Sequence, residues 1–183
     1  YRAGGNICYA DTPEGQNREH AIFGASRCVA VTPSDTANAL VALDASVVLR
    51  GPDGERVLRA ADFFIGPAVN IRHMTALRSG EILVAVRIPA SWAGAEFYFE
   101  KVADRAVWDF ALVSIAVALK IEGGTIREAR VVCGAVACTP WRLTAVESAL
   151  QGGTRDEATA ERVAALAARG AQPLNFNGFK IPL

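Results

Sequence analysis

The sequence predicts an α+β fold, and three observations carry that reading. Apolar strand-like runs bounded by Gly and Pro turns recur from Val47 to Val136. Two helix-length segments that stop at glycines follow them, and strands followed by helices indicate α+β rather than alternating α/β. A break at Pro89-Ala90-Ser91 divides the chain into two units, residues 1–91 and 92–183.

Residues 1–30 are rich in turn formers, from Gly4-Gly5-Asn6 to Asp11-Thr12-Pro13-Glu14-Gly15, and predict loop. Pro33-Ser34-Asp35 opens a helix reaching about Ala45, with Ser34 or Asp35 as cap and Ala37, Leu40, Val41 and Leu43 as its apolar stripe. Val47–Arg50 and Arg56–Leu58 read as strands about the turn Gly51-Pro52-Asp53-Gly54. Glu81–Ile88 reads as a strand apolar on both faces, which predicts a well-covered place in a mixed sheet. Phe97–Val102, Ala111–Ile121 and Ile126–Val136 make about three antiparallel strands, the last two a hairpin about Gly123-Gly124. Helices are expected over about Pro140–Leu150 and Arg155–Arg169, ending at Gly152-Gly153 and Gly170, the second burying Val163, Leu166 and Ala167.

Lys plus Arg equals Asp plus Glu at 19 each, which argues against a nucleic-acid grip or attachment to an anionic membrane, since both need basic excess. No apolar run approaches the ~20 residues of a membrane span. With no secretory leader and four cysteines, reduced thiols in a cytoplasmic protein are expected. Cys133 and Cys138 read as small buried residues of one strand, roughly 16 Å apart and beyond the ~7 Å reach of a disulfide. Two histidines exclude a histidine-rich metal site: His20 reads as a loop hydrogen-bonder and His73 as solvated. No hydrolase, zincin or Walker motif is present. Gly4-Gly5-Asn6 reads either as an ordinary turn or as backbone that approaches a phosphate or ring closely. Ser34-Asp35 reads as a cap or as a polar ligand contact at a helix start. Lys101, followed by the loop residues Arg105, Trp108 and Asp109, reads as a snorkelling lysine beside a packed tryptophan, or as a functional cation.

The order of these pieces resembles a known family. Gly-Gly-Asn, Pro-Ser-Asp before an Ala/Leu helix and Gly-Pro-Asp-Gly-Glu-Arg come first, then Asp62-Phe63-Phe64 and Gly80-Glu81-Ile82-Leu83. Ile88-Pro89, Phe99-Glu100-Lys101-Val102 and Trp108-Asp109-Phe110-Ala111-Leu112-Val113 complete it. Together they resemble the FAD-binding (medium) subunit of the molybdenum hydroxylases, the xanthine dehydrogenase and carbon monoxide dehydrogenase type, over nearly the whole chain.

The resemblance implies the second part of a PCMH-type FAD-binding subdomain over 1–91 and the C-terminal α+β domain of the flavoprotein subunit over 92–183. The family's first FAD subdomain, with its glycine-rich diphosphate loop, has no counterpart here, so residues 1–183 alone are expected to purify colourless or with substoichiometric FAD. It implies transfer of electrons to FAD from iron–sulfur clusters on a small subunit, which a molybdopterin centre on a large subunit fills, and from FAD to an external acceptor. By position, Gly4, Gly5 and Asn6 match a glycine loop, Ser34 and Asp35 the ribityl or ring edge, Ile82 and Leu83 the strand lining the ring, and Lys101 a lysine beside it. Asn6 and Ser34 stand 28 apart in sequence, wider than is typical. Some relatives carry a cysteine-bearing insert for a [4Fe–4S] cluster there, which makes Cys8 and Cys28 possible ligands, two of the four thiolates such a cluster takes. The rival from a different class is a non-catalytic docking module that keeps the fold and binds no flavin.

Overall fold

The structure, a computed structural model, describes residues 7–183, so Gly4, Gly5 and Asn6 lie outside the described residues. Two antiparallel sheets are joined by one helix and a long loop. Ser46–Gly51 (β1) and Gly54–Arg59 (β2) form the first hairpin, and Ile82–Arg87 (β3) pairs with the other edge of β1. The order is β2-β1-β3, with Val47 between Leu58 and Val86. This sheet is wholly antiparallel, not mixed. A parallel return needs a long crossover, and between β2 and β3 the only helix is the single turn Ala60–Phe63 (α2). The two-sided apolar pattern of β3 also does not mean cover within this chain. Central β1 buries Val47, Val48 and Leu49, whereas every residue of edge strand β3 is exposed.

The second sheet holds Glu96–Val102 (β4), Val113–Glu122 (β5), Thr125–Gly134 (β6) and Trp141–Arg142 (β7), in that order. Gly123 and Gly124 turn the β5–β6 hairpin at φ +58° and +78°, the left-handed values that favour glycine. The fourth strand replaces the expected start of a helix at Pro140. Trp141 pairs with Cys133 and stacks on Phe23 at 5.3 Å, so Thr144–Leu150 (α3) begins later. The Arg142 guanidinium and the Val131 amide both donate to the buried Glu147 carboxylate, which pins α3 to β6. Glu157–Ala167 (α4) starts at Asp156, whose carboxylate accepts from the Thr159 amide at 2.8 Å. Helices α3 and α4 bury Val146 and Val163 against Val131 and Leu143.

The opposite face of this sheet takes Asp35–Ala42 (α1), shorter than expected because the chain leaves the helix at Leu43. Asp44 has φ +50°, its amide donates to Val41 O and the Ala45 amide to Leu40 O, the paired bonds that close a helix in a left-handed residue. Alternation in β5 matches the two layers. Ser114, Ala116 and Ala118 are buried, Ala116 within the cluster that α1 joins, while Ile115 and Val117 pack with the α3–α4 cluster.

Trp92, 2% exposed, locks the two units together. Its indole N–H donates to Asp44 at 3.2 Å, and Lys120 and Arg130 lie 4.5 and 5.4 Å from its ring centre. Residues 7–32 are irregular, as expected, apart from one turn at Tyr9–Asp11. Buried side chains tie them down. Asn17 donates to Ala10 O and accepts from the Phe176 amide, Asn177 donates to His20 O and Ala21 O, and Lys180 donates to Glu19 O and Ala135 O. His20 therefore bonds through its carbonyl, while its buried Nδ1 has no partner and burial holds the imidazole below its ordinary pKa. His73 is exposed. β6 ends at Gly134, so Cys133 and Cys138 do not share one strand; Cys133 keeps a free thiol, pushed up to about 11 by burial.

Two outcomes follow from this packing. Trp92→Ala is expected to cost about 3–5 kcal/mol, the range for emptying a large aromatic site; urea unfolding that shows less than ~1 kcal/mol would contradict the lock. Lys180 is the second case, its ammonium pushed down to about 8 by burial from the usual 10.5. Between those values the unfolded chain holds more protons than the folded one, so the Lys180 contribution makes stability rise with pH across that window. Chemical denaturation from pH 8 to 10.5 should show a steeper rise for wild type than for Lys180→Met, and equal slopes would rule this out.

Candidate cofactor site

Helix α1, strand β4 and the loop that follows β4 converge on one cation. Lys101 sits near the end of β4, opposite Ser114 of β5. Its ammonium donates to the Asp35 carboxylate at 2.7 Å and to the main-chain carbonyl of Asp109 at 2.6 Å. Asp35 is the first residue of α1, and Ser34 precedes it in extended conformation. The expected side-chain cap is not made there: the Ser34 hydroxyl meets that of Thr36 at 3.1 Å, and only the Ser34 carbonyl accepts from a helix amide, that of Ala37. Lys101 is about one-quarter exposed and Asp35 less than half, and the two partners of Lys101, Asp35 and Asp109, both line a cavity.

That cavity has a volume of about 340 Å3. Val31, Pro33, Phe110 and Ala111 give it apolar walls, and Ser34, Asp35, Asp109 and Glu19 give it a polar rim. Buried bonds fix the Val31–Asp35 wall from behind. The Thr32 amide and hydroxyl donate to Ala137 O and Cys138 O, at 3.2 and 2.6 Å, and the Cys138 thiol donates to Ala30 O at 2.8 Å. On the other side Arg18 makes two 2.8 Å bonds to Asp104, lies 5.3 Å from the Phe179 ring and holds the Asp104 carboxyl below its usual range.

Of the residues picked from sequence, Ser34, Asp35 and Lys101 come together. Ile82 and Leu83 lie on β3 of the other sheet, 64% and 44% exposed, and are not among the walls of this cavity. Cys8 is half-buried ahead of the turn at Tyr9–Asp11, and Cys28 is buried, its carbonyl accepting from the Cys138 thiol. Among the described residues no group of three His, Cys, Asp or Glu is placed to hold a metal. Trp108, expected to pack, is 93% exposed at φ +56°, because β4 ends at Val102 and the loop to β5 carries it outward. Sequence reasoning missed the carbonyl role of Asp109 and the wall residues Thr32 and Phe110. The only signal was their place within a few residues of Ser34 or Lys101.

A carboxylate and a hydroxyl along one rim of an apolar recess, with a cation bonded to that carboxylate, suit the polar edge of a planar heteroaromatic cofactor such as a flavin. Comparison with known proteins agrees with that chemistry. Residues 3–91 match the model of the FAD binding domain in molybdopterin dehydrogenase, and residues 98–179 that of the CO dehydrogenase flavoprotein C-terminal domain. The chain is 41% identical over 144 residues to the aldehyde oxidoreductase FAD-binding subunit PaoB of Escherichia coli, covering 78% of this chain and 44% of that protein. To the carbon monoxide dehydrogenase medium chain of Afipia carboxidovorans it is 33% identical over 125 residues, 68% of this chain and 41% of that one. Among solved structures, quinoline 2-oxidoreductase from Pseudomonas putida 86 superposes with TM-score 0.72 at 28% identity, covering 90% of this chain and 60% of that one. Carbon monoxide dehydrogenase from Hydrogenophaga pseudoflava gives 0.70 at 30% identity, covering 82% and 52%. The chain spans about half the length of the relatives it matches. No described helix is long and apolar enough to cross a membrane. Motif order, fold and family matches agree: the chain belongs to the family of FAD-binding medium subunits of the molybdenum hydroxylases.

Proposed function

We propose that the chain is the ring-side part of a flavin electron-transfer subunit in a molybdenum-containing oxidoreductase of the cytoplasm. Its partners are a small subunit with iron–sulfur clusters and a large molybdopterin subunit, and its output is an external electron acceptor. Residues 1–91 form the second part of the FAD-binding subdomain and residues 92–183 the C-terminal domain. Ser34, Asp35 and Lys101 edge the flavin, Ile82 and Leu83 line it, and Gly4, Gly5 and Asn6 supply close-approach backbone.

The observation that carries this reading is the Lys101 ammonium held between Asp35 and the Asp109 carbonyl, two residues that line the apolar recess. FAD, when bound, supplies the redox chemistry. The chain's own task is to hold a positive charge in a fixed place, aim a hydroxyl at the same rim and exclude water with Pro33, Phe110 and Ala111. A fixed cation beside the ring favours the reduced, more negative flavin and so raises its potential. The exposed faces of β3 fit the same reading, because an apolar strand left uncovered in one chain marks a surface that binds something else.

In the assembled flavoprotein, Lys101→Met is expected to make the flavin harder to reduce. Removing one unit charge at contact distance is worth between about 1 and 4 kcal/mol, from water-like to surface-like dielectric. Redox titration of wild type and variant measures it. An unchanged midpoint potential would remove Lys101 from the flavin edge, and full assembly without any flavin band would favour the docking-module reading.

A further inference from the structure

Residues 103–112 have a job that neither the family match nor the flavin reading assigns. The loop is closed at its base by the Leu112 amide donating to Val102 O at 2.8 Å. Inside it, the Asp109 carboxylate accepts from the Arg105 amide at 2.9 Å and from its neighbour Phe110 at 3.1 Å, with the Arg105 guanidinium 3.9 Å away. The same guanidinium donates to Trp108 O at 2.5 Å. The Asp109 carboxylate is thus committed to its own loop, and its main-chain carbonyl is what reaches Lys101.

We infer that Asp109 is a positioning residue for Lys101: its carboxylate folds the 103–112 loop so that its carbonyl fixes the lysine ammonium beside Asp35. The inference rests on the flavin reading for its consequence, but its geometry is independent of any cofactor. A carbonyl dipole orients an ammonium without adding negative charge, whereas a second carboxylate would leave the cluster net negative. Among the described residues Asp35 is the sole carboxylate bonded to Lys101, and the two bonds leave one ammonium proton for a third, electron-rich partner. The loop also holds Trp108 in a left-handed conformation that a bulky residue rarely adopts, which fits a backbone set by the bonds on either side of it.

The test has two arms. In the full chain, the rate at which acetic anhydride acylates Lys101 is read by peptide mass spectrometry against an added lysine-containing peptide as reference. Asp109→Ala should raise the Lys101 rate several-fold, and Asp109→Asn, which keeps one acceptor for the loop amides, should lie between it and wild type. An unchanged rate in both variants, with the fold intact by circular dichroism, overturns the inference whatever the flavin does. In the assembled flavoprotein, Asp109→Ala should lower the flavin potential in the same direction as Lys101→Met, with Asp109→Asn restoring part of it. A shift in Lys101→Met with none in Asp109→Ala overturns the positioning role alone. No shift in Lys101→Met overturns the flavin reading, and the acylation arm then still decides the geometry. Where Asp109→Ala does not fold, Asp109→Asn carries both arms.

Discussion

The constraint on which the rest depends is the seating of α1 against β5 and β6. By sequence the helix belongs to the first unit, yet its apolar side is buried on the sheet of the second. Small residues make the approach possible: Ala37 and Ala42 on the helix, Ala116 below, and Gly134, where a side chain would collide with Ser114 and Asn38. Asn38 is fully buried in this contact, its amide donating to Ser114 Oγ at 3.3 Å, with Val132 O at the 3.5 Å limit. A buried amide in an aliphatic interface costs free energy wherever its partners are misplaced, so it fixes the register of helix on sheet.

Both ends of that helix then do work elsewhere. The first residue, Asp35, meets Lys101 of β4, and the left-handed exit at Asp44 meets Trp92 and Arg130. One packed interface therefore sets both the candidate cofactor rim and the lock between the sheets. The irregular loop 7–32 completes the site because buried Asn17, Asn177 and Lys180 give its backbone the partners that a sheet would otherwise supply.

Local chemistry made much of this legible in the sequence. The Gly123-Gly124 hairpin, the strands on either side of it and the position of α1 followed from turn residues and apolar periodicity. Non-local pairing decided what was missed. β3 reads as a buried strand because both faces are apolar, but burial needs a covering element, and none of the described residues supplies it. Trp141 reads as a helix start after Pro140, and its stacking on Phe23, far off in sequence, turned it into a strand instead. At the site, Asp35 and Lys101 were each visible only as ambiguous single residues or through the family resemblance. Their 2.7 Å contact joins segments 66 residues apart, which no spacing rule reports. The Asp109 carbonyl was invisible for a simpler reason: a main-chain acceptor has no residue type.

The central claim is that the start of α1 and the end of β4 form the edge of a flavin site. Photolabelling of the assembled subunit with an FAD analogue bearing an azide on its ring, followed by peptide mapping, tests it most directly. The account predicts adducts within residues 33–35 or 101–110 that excess FAD suppresses. FAD-protected adducts confined to other segments of the chain, with none near Asp35 or Lys101, would contradict it.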